Sequence, residues 1–232
     1  MLKIDLQDFE KYILKNLPKK VEEAKLNDYT TFGKNVEKPL SDVIEDYLKL
    51  KKVECTFKRA KKKNSFPDLE VIMKKETFAF EHKAAESSSV DNDLGTLNAF
   101  PKKIKKYGDN IYYFFVKYSK AKAGEGIVID NIYIDKVYRF IGKMDVKDKL
   151  ILKYRKKDGN LRPKTWSDFD NNIVYFNTLE EFKSAIKPTV EYRACELVIQ
   201  HMKDLTDDDK LYVYKELGKE IDKIRKKRVK SK

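Results

Sequence analysis

Apolar positions recur at helical spacing from the start of the chain. Leu6, Phe9, Ile13, Leu17 and Val21 predict an amphipathic helix over residues 6–24, with Pro18 the point where it bends or ends. A second stripe, Leu40, Val43, Ile44, Tyr47 and Leu48, predicts a helix that opens at Lys38-Pro39. A proline in that first turn gives up no intrahelical hydrogen bond. Then the period falls to two. Residues 53–57 alternate like a strand, the basic loop 58–64 follows, and residues 66–73 and 77–84 read as a hairpin around Lys74-Lys75-Glu76. A Lys-rich helix is predicted over 101–107, with Leu97 and Phe100 leading in. Residues 111–118 are apolar almost throughout, the signature of a central strand buried on both faces. Gly124-Glu125-Gly126 turns the chain into a strand over 127–134, followed by a short helix over 136–141 and a strand over 150–154. A polar, basic loop over 155–170 holds the single Trp. Thr178-Leu179-Glu180-Glu181 is a capping box before Phe182, and Thr206 followed by three Asp opens a last helix that ends in a basic tail over 223–232.

These elements predict an α/β fold: a central mixed β-sheet flanked by helices, with a C-terminal helical hairpin. No internal repeat or long linker interrupts the chain, so a single domain over 1–232 is expected. It divides into an N-terminal helix (1–32), an α/β core (33–176) and C-terminal helices (177–232).

Charge narrows the partners. The chain has 51 Lys+Arg against 38 Asp+Glu, a formal net charge of +13, and 38% of its residues are charged. Such a field favours a polyanion. No apolar run approaches the ~20 residues that span a bilayer, and charges break the start too early for a secretory segment. Nucleic acid, met in the cytoplasm, is therefore expected. The two cysteines, Cys55 and Cys195, lie far apart in apolar segments and read as reduced thiols. With only two His in the chain they form no zinc site.

The candidate chemistry lies in the predicted hairpin. Asp68 follows Pro67 on its first strand, and Glu81-His82-Lys83 ends its second. Residues two apart on a strand share a face, so Glu81 and Lys83 point one way and Phe80 and His82 the other. Asp68, Glu81 and Lys83 can then meet at one point. Two neighbouring carboxylates repel unless a cation lies between them, and Mg²⁺ takes oxygen ligands of this kind together with a phosphate. Glu70 shares a strand face with Asp68, where an exposed charge is the simpler reading.

Pro67-Asp68 with Glu81-His82-Lys83 resembles the motif of the PD-(D/E)XK nucleases, which include many type II restriction endonucleases. The run Lys83-Ala84-Ala85, then Asp91 to Asn98, before a Lys-rich helix and an aromatic strand is similar to the SwaI-type restriction endonucleases. The likeness is strongest over residues 81–118. It implies a restriction-endonuclease-like fold and a Mg²⁺-dependent enzyme that cuts double-stranded DNA at a specific, palindromic site. The products would be 5′-phosphate and 3′-hydroxyl ends. Asp68, Glu81 and the backbone carbonyl of His82 would hold Mg²⁺, and Lys83 would orient the attacking water. Mn²⁺ would substitute, and Ca²⁺ would support binding without cleavage. The stretch 33–40 resembles the helix entrance that supplies a further acid in such enzymes, which points to Glu37 ahead of Glu45. A homodimer would match a palindrome, and the resemblance also implies a companion DNA methyltransferase.

DNA contacts are expected in three places. Ser87, Ser88, Asn92 and Asn98 follow the catalytic strand. Lys102, Lys103 and Lys106 form a basic face suited to phosphates. Arg155, Lys157, Asn160, Arg162 and Lys164 lie in a loop whose residue types read base edges. Two other functions fit parts of this pattern: a repair nuclease or junction resolvase of the same fold, and a basic DNA-binding protein without activity.

Overall fold

The structure is a computed structural model that describes residues 5–60, 65–121, 126–146, 149–203 and 205–230, with side chains as far as residue 219. Part of the predicted basic loop (61–64), the turn residues Gly124 and Glu125, and the end of the basic tail (231–232) lie outside the described residues.

Helix α1, Leu6–Glu23, buries Phe9, Ile13, Leu17 and Val21, the stripe that the spacing predicts. Asp5 caps it, its side chain accepting from the Gln7 N–H at 2.9 Å. The helix runs through Pro18 rather than ending there. A short helix α2, Phe32–Asn35, precedes α3, Glu37–Leu50, which begins one residue ahead of the predicted Lys38.

Five strands form one sheet in the order β1-β2-β3-β4-β5. They are β1 Thr56–Arg59, β2 Leu69–Ile72, β3 Thr77–Glu86, β4 Ile111–Lys120 and β5 Ile127–Lys136. Pairing is antiparallel except between β3 and β4, which run parallel. Between those two, η1 (Leu97–Ala99) and α4 (Phe100–Tyr107) form the crossover that a parallel pair requires. This is the mixed sheet flanked by helices that the sequence pattern predicts. Strand β1 lies three residues later than the alternation over 53–57 placed it. Its Arg59 is pinned to Asp42 and Glu45 of α3, each at 2.6 Å.

One sheet face packs on α1 and α3. Phe78, Phe80, Ala84 and Phe114 join Phe9, Leu40, Ile44 and Tyr47 there. Phe9 stacks on Tyr47 at 4.3 Å and meets Phe114 edge-on at 5.5 Å. Burying each such side chain contributes about 1.5–3 kcal/mol. The opposite face of β4 carries Phe115, which packs on Phe140, Trp166 and Phe169. Strand β4 is therefore buried on both faces, as its unbroken apolar run requires.

After β5 come α5 (Val137–Phe140), a hairpin of β6 (Lys143–Val146) and β7 (Lys149–Leu152), and α6 (Trp166–Asp170). The predicted loop over 155–170 is thus partly helical at its end, where Thr165 and Asp168 form a capping box. The described chain forms two compact units, one ending at Thr189 and one starting at Val190. Helix α7, Leu179–His201, begins in the first, and α8, Asp207–Lys230, lies in the second.

Candidate active site

The β2–β3 register sets Leu69 opposite Phe80 and Glu70 opposite Ala79. One step further on, Asp68 comes beside Glu81. The backbone N–H of His82 donates to Asp68 Oδ2 at 2.7 Å, which fixes that carboxylate against β3. Lys83 Nζ donates to Glu81 Oε1 at 2.8 Å. Both side chains are largely enclosed, with 18% of Lys83 and 12% of Glu81 exposed. Asp68, Glu81 and Lys83 therefore meet where the sequence pattern placed them.

Electrostatics tie the group together. Burial pushes the Asp68 carboxyl above its ordinary range, against the His82 N–H and the ammoniums of Lys83 and Lys103, which favour its charged form. Burial pulls Lys83 down, but Glu81 beside it, and then Asp68 and Glu37, raise it further, so the net shift is upward. His82 faces the opposite way, 2% exposed and edge-on to Phe114 at 5.8 Å. Burial takes its imidazole down to about 4, which keeps it neutral at ordinary pH and makes its side chain a packing group.

The donor set fits a hard cation. Glu81 Oε2 is buried without a hydrogen-bond partner, and Asp68 presents a second carboxylate beside it. A lone buried oxygen of this kind is unfavourable unless a ligand meets it. Among the described residues no three His, Cys, Asp or Glu side chains gather as one metal cluster. Glu37 stands apart from the pair, exposed in the first turn of α3. It lines a cleft of about 350 Å³ together with His82, Lys83, Asp93, Arg155 and Arg162.

The remaining predicted residues divide by what already holds them. Ser87 Oγ donates to the Tyr118 carbonyl at 3.2 Å and to Asp130, and Ser88 Oγ to Glu86 at 3.3 Å. Asn92 donates to the Ala84 carbonyl at 2.8 Å, while Asn98, Lys102 and Lys157 are exposed. Lys106 pairs with Glu70 at 2.7 Å. Lys103 departs from the predicted surface face: its ammonium lies 3.6 Å from the Phe66 ring centre and 4.8 Å from that of Phe100. Lys164 is 4% exposed and donates to the Ile173 carbonyl at 2.7 Å, so its ammonium is engaged inside the fold rather than presented to a base.

Sequence reading missed Asp93. Its carboxylate accepts from Arg155 at 2.8 Å, from Asn160 at 3.1 Å and from Arg162. Arg155 also pairs with Asp158, which holds that carboxyl down to about 2, and Arg162 pairs with Asp91. Partners 62 to 69 residues apart leave no local signal. The backbone adds its own ties, Leu94 N–H to the Leu161 carbonyl and Leu161 N–H to the Gly95 carbonyl, both 2.9 Å. The loop predicted to read bases is thus fastened to the segment that leaves β3.

A mixed five-stranded sheet between helices, with Glu81 and Lys83 on β3 and Asp68 in the bend just before β2, short of the strand over 66–73 that the sequence predicts, places the molecule in the restriction-endonuclease-like α/β class. The structure of the NlaIV restriction endonuclease is similar, with a TM-score of 0.52 and 21% sequence identity over 72% of this chain and 66% of that one. This chain thus spans just under two thirds of that structure's length. The family model of the NgoBV restriction endonuclease matches residues 25–232, and the chain belongs to that family. No curated protein matches it.

Proposed function

We propose that the protein is a type II restriction endonuclease of the PD-(D/E)XK kind, which hydrolyses phosphodiesters in double-stranded DNA with a divalent metal, Mg²⁺ foremost. The observation that carries this reading is the meeting of Asp68, at the entrance to β2, with Glu81 and Lys83 on β3, where Glu81 Oε2 is buried and unsatisfied. Family membership supports it.

Asp68 and Glu81 would hold the ion, with the His82 carbonyl beside them and Glu37 reaching it through water. A bound Mg²⁺ supplies positive charge to the scissile phosphate and makes water a better nucleophile. The rest falls to the chain. Lys83, anchored on Glu81, orients the attacking water and offsets charge on the phosphorane-like transition state. The His82 N–H holds Asp68 in place. The sheet and its helices keep these groups on rigid elements. Cleavage then leaves 5′-phosphate and 3′-hydroxyl ends. A homodimer on a palindromic site, Mn²⁺ as a substitute, Ca²⁺ as a non-productive ion and a protecting methyltransferase complete the reading.

The test is digestion of a large, unmethylated duplex DNA with Mg²⁺, alongside Lys83→Ala, Glu81→Gln and EDTA. Discrete fragments are expected, with cleavage reduced at least ~10²-fold in either variant and abolished by EDTA. A smear lost in the same controls would point to the repair-nuclease or resolvase reading. Intact binding without cleavage, on this DNA and on a random-sequence pool, would leave only a DNA-binding protein.

A further inference from the structure

Helix α4 carries four lysines, Lys102, Lys103, Lys105 and Lys106. Three have an ordinary surface setting: Lys102 and Lys105 are exposed, and Lys106 pairs with Glu70. Lys103 does not. It lies between Phe100 and Tyr107, the buried residues of the helix, on the face where an apolar side chain is expected. Its ammonium rests against the faces of Phe66 and Phe100 at 3.6 and 4.8 Å. It makes no ion pair or hydrogen bond with any described residue. Phe66 stands two residues before Asp68, so the ring that holds the ammonium belongs to the motif segment itself.

Lys103 interacts electrostatically with Glu81, Lys83 and Asp68. Two carboxylates and two lysines therefore share the site. The rings satisfy the charge of Lys103 by cation–π attraction but take none of its three N–H donors. A half-buried ammonium whose donors no protein group takes, beside a carboxylate pair, is matched to an anionic oxygen ligand. Gly95 makes room for it: a Cβ there would stand 3.0 Å from Lys103 Nζ, and the φ of +108° is one that only glycine adopts readily.

We propose that Lys103 is a second active-site lysine, which receives a non-bridging oxygen of the scissile phosphate and, before DNA binds, offsets the charge of the Asp68–Glu81 pair. This rests on the reading of that pair as a cation site. It gives two consequences of opposite sign. Removing the ammonium deprives the phosphate of a donor, so cleavage falls. It also removes a like charge from beside the metal position, so the DNA-free protein binds a divalent ion more tightly.

The experiment is Mn²⁺ binding to the DNA-free protein, followed by calorimetry and by the spin resonance of free Mn²⁺, for wild type, Lys103→Met and the exposed-turn control Lys75→Met. Thermal unfolding checks that each variant is folded. Lys103→Met is expected to bind Mn²⁺ about tenfold more tightly and to cleave DNA roughly 10²-fold more slowly, with Lys75→Met matching wild type in Mn²⁺ binding. A merely structural lysine would lower both properties together. Unchanged or weaker Mn²⁺ binding by folded Lys103→Met, with wild type binding normally, overturns the proposal for Lys103 alone. Failure of wild type itself to bind Mn²⁺ or to cleave overturns the reading of the site, and the proposal with it.

Discussion

The ammonium of Lys164 lies 4.8 Å from the Phe169 ring centre and 5.8 Å from that of Phe140, inside the fold. Burial takes its pKa down to about 8, from 10.5 for the free side chain. The sign of the consequence is fixed by linkage. Between these two values the unfolded chain carries a proton that the folded one lacks, so stability rises with pH across that window. Below about 8 the folded protein bears the full disadvantage of a buried charge. Lys164→Met removes it, and with it the bond to the Ile173 carbonyl, which adds an offset that pH does not change. Chemical denaturation from pH 7.5 to 10.5 is therefore expected to show wild type gaining on the variant as pH rises. A pH-independent difference would mean that the ammonium is solvated. A lysine in a basic loop gives no sign of this in sequence, because the ring cage comes from residues up to 24 positions earlier.

At the scale of elements, the loop that spans Arg155 to Arg162 depends on Asp93. That carboxylate is shared by two guanidiniums and an amide, and charge-assisted bonds of this kind contribute more than neutral ones. Asp93→Ala leaves Arg155 and Arg162 without their common acceptor. A loss of roughly 2 kcal/mol is expected, with faster hydrogen exchange at the Leu94 and Leu161 amides that join the two segments. Unaltered exchange would mean that the backbone ties suffice. What the sequence revealed follows the same division. Strand β3 and its hairpin partner were legible because the period of two runs through Phe78, Phe80 and His82 on one side and Ala79, Glu81 and Lys83 on the other. Strand β4 was legible because a strand covered on both faces is apolar throughout. Strand β6 was not, since Lys143–Val146 is short and buries little. Helix α6 was missed because its five residues are set by a Thr165–Asp168 cap and by Trp166 and Phe169 packing on distant Phe115. Lys103 was read with its lysine neighbours, since a charge on the apolar side of so short a helix cannot be told from a basic run until the helix is docked.

For the whole molecule, the net charge of +13 is the dominant property. Phosphate contacts release condensed counterions, so affinity for duplex DNA falls steeply with salt. Six or more such contacts imply a loss of about 10³-fold or more between 50 and 200 mM salt, measurable by fluorescence anisotropy with a labelled duplex in Ca²⁺. A flat response would show that the positive surface does not face the phosphates. Strand β3 adds a property that belongs to the molecule as a population. Its alternate residues are divided between hydrocarbon and chemistry, so pairing that slipped by one position would drive Glu81 and Lys83 into the packed helices and turn Phe80 and His82 to the face that the charged pair now occupies. Two charges in that core would be prohibitive. A mispaired chain therefore cannot persist as a well-folded molecule that lacks the assembled Asp68–Glu81–Lys83 group. The parity of one strand makes surviving proteolysis and carrying the assembled group the same test.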